Sequence, residues 1–354
     1  MEYKKINELT TVVTGGTPST RKNEYWDNGD IPWLQSGCCQ NCDVDSTEKY
    51  ITKEGYNNSS THMMSADTVM IALTGATAGK VGYLKFEACG NQSITGILPC
   101  ESLNQRYLFF YLLSQREKIL ADCVGGAQAH ISQSYVKNMT IPILAIKEQE
   151  QIVGELTKVS NIVSLRQEEI QQLDNLVKAR FVEMFGDCTN MISLSELCLI
   201  ITDGTHQSPK FQHDGIPFIL VSNLSKNTVT YDTDKFISAE TYKELYKRTP
   251  IEIGDILLST VGSYGHPAVV VEDRKFLFQR HIAYLKPKSD ILNSYYMHGA
   301  LLSPGCQRQI EEKVKGIAQK TLNLSEIRKI RIPVPSLDLQ KQYADFVHQV
   351  NKSK

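Results

Sequence analysis

Residues 146–186 read IKEQEQIVGELTKVSNIVSLRQEEIQQLDNLVKARFVEMFG, and this stretch decides the architecture. Its apolar residues recur at alternating steps of four and three, with Arg166 and Arg180 at two positions of the same stripe. This heptad pattern is typical of a long helix packed against a partner helix, and Gly186 supplies a helix stop. We therefore predict a central helix over residues 146–186. Its apolar stripe consists of Ile152, Leu156, Val159, Val163, Ile170, Leu173, Val177 and Met184.

The sequence that leads into this helix occurs a second time near the C-terminus. IPI at residues 141–143 precedes Glu148-Gln149, and IPV at residues 332–334 precedes Leu339-Gln340. The pattern predicts a short second helix over residues 336–354 that packs antiparallel against the first within the chain. Its apolar positions are Tyr343, Phe346 and Val350.

The segments before the two helices also match in order. Strand-like and turn-rich runs alternate in both, which is typical of mixed α/β modules with many loops. We therefore predict an internal duplication with modules at residues 1–145 and 187–335. The matched pairs are Gly16-Thr17 with Gly204-Thr205, Ile31-Pro32 with Ile216-Pro217, Gly75 to Gly79 with Gly262 to Gly265, Gln92-Ser93 with Gln279-Arg280, and Gly126-Ala127-Gln128 with Gly316 to Gln319.

Composition fits a soluble, multidomain protein. The 354 residues are 41% hydrophobic and 22% charged, with a net charge of −1. Residues 1–145 carry 12 basic and 14 acidic groups (−2), whereas residues 187–335 carry 18 and 16 (+2), which favours the second module for phosphate contacts. Without a secretory signal or a membrane-length apolar run, and with nine scattered cysteines, we expect a cytoplasmic protein with reduced thiols.

The stretch from Gly75 to Lys80 is similar to a phosphate-binding loop, in which backbone N–H groups and a lysine hold phosphates. It is one residue short and lacks the following Ser or Thr, and its second copy at residues 262–266 has no lysine. An enzyme that acts on nucleotides or nucleic acid through this loop stays an alternative. That alternative predicts that Lys80→Ala abolishes an activity of the isolated chain.

Other catalytic and metal-binding motifs are missing from the sequence. Cys38, Cys39 and Cys42 have a C-x-x-C spacing, but zinc needs two further ligands and no second pair follows. We find no G-x-S-x-G nucleophile elbow, no paired acidic cluster of a nuclease and no methyltransferase tetrapeptide after a glycine loop. We therefore predict ordinary thiols, no metal site and no catalytic residues.

Polar residues next to glycines are the remaining candidates for function. Gln side chains suit the edge of adenine, and Arg or Lys side chains suit guanine or phosphate. The competing interpretation is that they satisfy the backbone of their own loops. The candidate DNA-contact residues are Thr17, Lys80, Gln92, Gln128, His130, Thr205, His206, Tyr264, Gln279, Arg280, His281, Gln319 and Lys320.

The order of these motifs resembles the specificity (S) subunit of type I restriction–modification enzymes over the whole chain. The resemblance implies two target-recognition domains, separated by long antiparallel coiled-coil helices. The residues that carry it are Gly15 to Ser19, Ile31 to Leu34, Thr74 to Gly82, Asn91-Gln92-Ser93, Gly126-Ala127-Gln128 with Ile131-Ser132, and Ile141-Pro142-Ile143 with Glu148-Gln149.

The resemblance also implies a division of labour with partner subunits. Each domain would read one half of a bipartite double-stranded DNA site, with the halves about one helical turn apart. The helices, through the apolar residues named above other than Met184, would dock two methyltransferase subunits and, through them, restriction subunits. S-adenosylmethionine, ATP and magnesium would belong to those partners. The C-terminal helix is shorter than is usual in the family. A further alternative is a structural adaptor that binds partners but whose recognition domains no longer select DNA.

Overall fold

The computed structural model describes residues 2–122, 130–316 and 320–354. They form two compact units, Met1–Leu165 (unit 1) and Arg166–Lys354 (unit 2). The candidates Gln128 and Gln319 lie outside the described residues. Within the described residues, no helix is both long and apolar enough to cross a membrane.

Unit 1 alternates short strands with short helices. Its elements are β1 (Glu2–Lys5), α1 (Ile6–Leu9), β2 (Val12–Thr14), β3 (Ile31–Leu34), β4 (Cys42–Val44), β5 (Tyr50–Ile51), α2 (Lys53–Asn57), β6 (Val69–Ala72), β7 (Val81–Leu84), β8 (Cys89–Gly90), β9 (Ile94–Ile97), α3 (Gln105–Ser114), α4 (Arg116–Ala121), α5 (Gln133–Asn138) and β10 (Thr140–Ile143). The 40-residue helix α6 (Ile146–Phe185) then runs from unit 1 into unit 2.

Unit 2 repeats this order. Its elements are β11 (Met191–Ser193), α7 (Leu194–Leu197), β12 (Cys198–Asp203), β13 (Ile216–Ile219), β14 (Phe236–Ile237), α8 (Ala239–Tyr246), β15 (Ile256–Ser259), β16 (Pro267–Val269), β17 (Leu277–Phe278), β18 (Ile282–Pro287), α9 (Ser294–Leu302), α10 (Pro304–Lys313), α11 (Leu324–Ile327), β19 (Arg331–Pro333) and α12 (Leu337–Ser353).

The two units share one sheet topology. Strand order β2-β9-β6-β7-β4 in unit 1 corresponds to β12-β18-β15-β16 in unit 2, and β5-β3-β8 corresponds to β14-β13-β17. In both three-stranded sheets one pair is parallel, β3 with β8 and β13 with β17. The antiparallel pairs β1-β10 and β11-β19 also correspond. The predicted duplication into mixed α/β modules is confirmed, with β4 as an additional edge strand of unit 1.

Both faces of the larger sheets are buried, because side chains of a strand point alternately to opposite faces. In β6, Val69 and Ile71 pack in the cluster that includes α3, whereas Met70 and Ala72 pack in a separate cluster with Leu34. In unit 2 the corresponding strand β15 divides its side chains between two clusters in the same way. The loops at the ends of β6 and β15 are therefore anchored on strands whose side chains are buried on both faces.

Helix α12 lies antiparallel to the part of α6 that belongs to unit 2. The Tyr343 ring packs edge-on against the Phe181 ring, with centroids 5.4 Å apart. Further along, Lys354 Nζ lies 2.6 Å from Asp174 Oδ1, and Arg166 donates to the carbonyl oxygen of Ser353 over 2.9 Å. As residue numbers increase along α12, the residues of α6 that it contacts decrease in number, which is the antiparallel arrangement. By contrast, every residue of α6 from 154 to 169 is exposed.

Two helical segments, one in each unit, are each divided into two helices. Residues 107–120 belong to α3 and α4, which meet at Gln115. Residues 294–314 belong to α9 and α10, which meet at Ser303. There Pro304 starts the new helix and the Ser303 hydroxyl accepts a hydrogen bond from Cys306 N–H, because proline cannot continue a helix from within but suits its first turn.

Candidate nucleic-acid interface

Polar loops meet at one edge of unit 1, which we call loop edge 1. It consists of residues 15–17, 73–79, 91–93 and 130–131. Most of the candidates of the first module lie on it, although they are far apart in sequence. The hydrogen bonds that join these segments run from Gly16 N–H to Gly90 O (2.8 Å), from Leu73 N–H to Ser93 O (2.8 Å) and from Ile131 N–H to Leu73 O (2.9 Å).

Unit 2 builds the same edge, loop edge 2, from residues 204–206, 260–265, 279–281 and 320–322. The corresponding hydrogen bonds run from Thr205 N–H to Phe278 O (3.0 Å), from Thr260 N–H to His281 O (2.9 Å) and from Leu322 N–H to Thr260 O (2.8 Å). A further bond from Gly262 N–H to Lys320 O (3.1 Å) joins the glycine loop to the segment that carries Lys320. The same scaffold therefore presents different side chains in the two units.

Glycine is required at one position of each edge by the close approach of two backbones. A Cβ atom on Gly15 would lie 2.1 Å from the carbonyl oxygen of Gly90, and one on Gly204 would lie 2.3 Å from that of Phe278. Both distances are far below van der Waals contact, so no other residue fits without moving the strand. Gly15 is therefore the structural equivalent of Gly204.

This equivalence corrects the register of the sequence comparison by one residue. The sequence pairs Thr17 with Thr205 and Gln92 with Gln279, but the backbone bonds pair Thr17 with His206 and Gln92 with Arg280. Sequence identity favoured the shifted pairing, whereas hydrogen-bond geometry fixes the true one.

Loop edge 1 borders a cleft of about 820 Å³ that contains both tryptophans of the chain. The Trp26 and Trp33 rings stand edge-to-face with centroids 5.0 Å apart, and Trp33 Nε1 donates to Gly16 O over 3.0 Å. At the rim the Thr17 hydroxyl donates to Gln92 Oε1, and both side chains are exposed. The cleft combines flat aromatic surface with amide and hydroxyl groups.

Loop edge 2 borders a cleft of about 520 Å³ lined in part by Arg280, His281 and Asn323. Arg280 Nε donates to His281 Nε2 over 3.2 Å. Burial, and then the Arg280 charge, lower the pKa of His281, so its ring is neutral at pH 7 and can accept this bond. The terminal guanidinium nitrogens of Arg280 have no hydrogen bond to the residues that the structure describes.

His206, Tyr264 and Lys320 have side-chain partners within unit 2. His206 Nε2 lies 2.8 Å from Asp203 Oδ2, and Arg248 contacts the other oxygen of the same carboxylate over 2.9 Å. Lys320 Nζ lies 5.9 Å from the centre of the Tyr264 ring. These contacts hold the side chains close to loop edge 2 while leaving His206 and Lys320 exposed.

Lys80 does not sit in a nucleotide-binding loop. The segment from Gly75 to Lys80 joins the antiparallel strands β6 and β7, whereas a phosphate-binding loop leads from a strand into a helix. Lys80 Nζ donates to Gln40 Oε1 over 2.6 Å. The geometry that the enzymatic alternative requires is therefore not present at this loop.

Of the three clustered cysteines, Cys42 begins β4, and Cys38 and Cys39 precede it. Cys39 is fully buried, and its hydrogen bond with Cys38, together with burial, raises the pKa of its thiol. Across the described residues, no group of three or more His, Cys, Asp or Glu side chains is arranged to hold a metal ion.

The ten residues predicted to dock partners fall into two sets. Ile152 packs against the core of unit 1, whereas Val177 and Tyr343 belong to the core of unit 2. Val350 is also buried, and Ile170, Leu173 and Phe346 are half-buried. Leu156, Val159 and Val163 are 39%, 58% and 50% exposed, so these three are the members available to a partner.

A sequence profile described as "Type I restriction modification DNA specificity domain" matches residues 1–175 and 189–354. The chain belongs to this family. The two matches place one specificity domain on each half of the chain, so each domain contains one loop edge. The duplication read from sequence and topology is thus also a duplication of the family's domain.

Relatives in this family are named as specificity subunits. The chain is 32% identical over 169 residues to the EcoR124I/EcoR124II specificity subunit of Escherichia coli, which covers 46% of this chain and 42% of that protein. It is 23% identical to the MjaIX specificity subunit of Methanocaldococcus jannaschii, over 98% of this chain and 85% of that protein.

Solved structures show the same fold for this specificity-domain protein. The S subunit of a type I restriction–modification system from M. genitalium superposes with a TM-score of 0.52 at 16% identity, over 99% of this chain and 89% of that one. A chain from a structure of a type I R-M system, described for its complex assembly and conformational transition, gives 0.50 at 17% identity, over 99% and 90%.

Sequence reasoning did not identify the aromatic residues of the first specificity domain as part of the site. Trp26 and Tyr50 line the cleft beside Thr17 and Gln92, together with Lys49. The only signal in the sequence is that both tryptophans lie within the first 33 residues, before the glycine loop. Their position next to polar loop residues follows from the pairing of β3 with β5 and β8, which no local pattern reveals.

Proposed function

We propose that this chain is the non-catalytic DNA-specificity subunit of a type I restriction–modification complex. One observation carries the proposal: two specificity domains present equivalent loop edges, on the same backbone scaffold, with different polar side chains. Direct readout of two different DNA sequences requires side chains that differ between the domains, and a shared backbone can hold them in equivalent positions. Two such domains suit a target with two different halves.

In this proposal each loop edge faces double-stranded DNA. Gln92 and Arg280 are exposed side chains that can reach base edges, whereas Lys320 and His206 are suited to phosphate or the duplex surface. The low net charge of the chain is compatible with this role because partner subunits supply further contacts to the phosphates.

Helix α6 is the proposed docking element for partners. Leu156, Val159 and Val163 form an exposed apolar stripe on consecutive turns of the helix. We propose that two methyltransferase subunits bind the helices, and that restriction subunits join through them. S-adenosylmethionine, ATP and magnesium then belong to those partners, and the complex works in the cytoplasm, where its DNA is.

The helices also serve as a spacer in this proposal. At about 1.5 Å per residue, α6 is roughly 60 Å long. Its pairing with α12 as a coiled coil would fix the rotational phase between the two specificity domains. The two half-sites would then lie about one helical turn apart. An insertion of a few residues in α6 should change the spacing that the complex tolerates between half-sites.

The test is selection of DNA by the complex of this chain with its methyltransferase subunit. We expect a randomised pool to yield a split sequence with two fixed halves. Exchange of residues 187–335 for those of another family member should change one half only. A wild-type complex that enriches no split sequence, and methylates none in cells, would show that the proposal is wrong.

A further inference from the structure

Gln92 and Arg280 occupy the same position in equivalent turns. Ile94 N–H donates to Asn91 O over 3.1 Å, and Ile282 N–H donates to Gln279 O over 3.1 Å, which closes a β-turn in each unit. Gln92 and Arg280 are the second residues of these turns.

The turns are fastened to the neighbouring strands in the same way. Asn91 N–H donates to Leu34 O over 2.9 Å at the end of β3, and Gln279 N–H donates to Ile219 O over 3.2 Å at the end of β13. Because both ends of each turn are anchored, the Cα–Cβ bond of the second residue leaves the scaffold in the same direction in both units.

Within each turn the second residue carries the exposed side chain. Asn91 and Ser93 are half-buried, and the Asn91 side chain accepts a bond from Ser93 N–H over 3.1 Å. Gln279 and His281 are likewise half-buried. The flanking residues therefore support the turn, and the second residue is free to contact a ligand.

We infer that this turn position is a specificity determinant in both domains, with Gln92 selecting adenine in one half-site and Arg280 selecting guanine at the equivalent place in the other. The inference rests on the proposed function and goes beyond it, because it assigns one base in each half to one named residue. It predicts a purine at the equivalent place of each half-site, adenine in one and guanine in the other.

The local contacts prepare each side chain for two parallel hydrogen bonds to a purine. His281 holds Arg280 through Nε, which leaves the two terminal nitrogens for O6 and N7 of guanine. Thr17 occupies one lone pair of Gln92 Oε1, so the amide keeps an acceptor for N6–H and an Nε2–H donor for N7 of adenine. Both arrangements orient the side chain and leave free the groups that would bond the base.

The experiment exchanges the two residues in the complete chain, assembled with its methyltransferase subunit, and selects DNA from a randomised split-site pool. Gln92→Arg should convert one adenine to guanine in one half-site only. Arg280→Gln should convert one guanine to adenine in the other half only. We expect each preference to change by about ten- to a hundred-fold, with all other positions unchanged.

Lys275→Gln is the matched control, because it removes an exposed positive charge of unit 2 outside the turn. It should leave both half-sites unchanged. If the wild type selects a split site but Q92R and R280Q keep the original bases, the inference is wrong. A uniform loss of affinity in R280Q, larger than any change in K275Q and with the original bases kept, would make Arg280 a phosphate contact and would also overturn the inference.

Different outcomes contradict the proposed function and the role of the turn position. A wild-type complex that selects no split site contradicts the proposed function, whatever the variants do. Melting temperatures of the three variants should match the wild type, since all three side chains are exposed, and this comparison separates loss of readout from loss of folding.

Discussion

The side chain of Gln340 accepts a hydrogen bond from the backbone N–H of Asn293 over 2.8 Å. In unit 1, Gln149 accepts the same bond from Asn104, also over 2.8 Å. Both glutamines are fully buried, and each also donates to two backbone carbonyls. Asn104 and Asn293 cap α3 and α9, so each glutamine ties the start of one helix to the start of another.

Gln340→Leu should destabilise the protein because it leaves buried backbone groups without partners. We expect a loss of about 1–3 kcal/mol in the free energy of unfolding. Urea denaturation of the purified chain measures it. Gln342→Leu, on the exposed face of the same helix, is the control and should change stability by less than about 0.5 kcal/mol. Equal stability of Q340L and Q342L would contradict a role for the buried bond.

Arg106 fastens the additional strand β4 to unit 1. Its guanidinium bonds both oxygens of Asp43, at 2.5 and 2.6 Å, and its central carbon lies 3.6 Å from the centre of the Tyr83 ring. Lysine can replace neither the two-pronged bond nor the flat stacking surface. Since the pair is partly exposed, we expect Arg106→Lys to cost only about 1 kcal/mol.

Thermal melting measures this effect, with Arg21→Lys as the control at an exposed arginine of the same unit. R106K should melt below both R21K and the wild type. An R106K protein that melts with the wild type would show that the geometry contributes nothing to stability.

Much of the fold was predictable because its signals are local or repeated. The heptad stripe predicted the long helix, and the doubled sequence before Glu148 and Leu339 predicted the second one. The ordered matches predicted two modules. The parallel pairing of β3 with β8 was not predictable, since it depends on contacts between residues about 55 positions apart that leave no local pattern.

The sequence predicted which loops form the candidate site, but it did not predict which residues of the two domains are equivalent. Sequence comparison aligned Gln92 with Gln279 because the residues are identical, whereas the backbone bonds align Gln92 with Arg280. Equivalent residues that differ between the two domains cannot be aligned by identity. Gln149 and Gln340 show the opposite case: they were visible as part of a repeated motif, but only their burial reveals a structural role.

His298 makes the stability of unit 2 sensitive to acid. Its Nε2 donates to the carbonyl oxygens of Asn227 and Pro267, at 3.0 and 3.2 Å, and burial lowers its pKa below the usual value. The unfolded chain therefore takes up a proton at a higher pH than the folded one. The contribution of His298 is fully present above the unfolded value, near 6.5, and is lost as the pH falls below it.

Melting temperatures at pH 7.5 and pH 5.5 measure this effect. His298→Gln keeps a donor for the carbonyls and should show a smaller drop between the two pH values than the wild type. His213→Gln, at an exposed histidine, should retain the wild-type drop. Equal drops in all three proteins would exclude His298 as the source.

The exposed stripe on α6, which is the proposed docking surface, allows partner binding to be tested apart from folding. Val159 and Val163 lie one turn apart and contribute nothing to either core, and Val and Asp have similar helix propensities. Val159→Asp combined with Val163→Asp should therefore leave the melting temperature of the isolated chain near that of the wild type. The same change should weaken binding to the methyltransferase subunit by about tenfold or more, since it puts two charges into an apolar contact.

Titration of the labelled partner subunit measures the affinity. Asn161→Asp adds a negative charge to the polar face of the same turn and should bind like the wild type. If the double variant binds normally, the methyltransferase subunit docks elsewhere on the chain. If the double variant and N161D weaken binding equally, the effect is long-range charge repulsion, and the apolar stripe is not the docking surface.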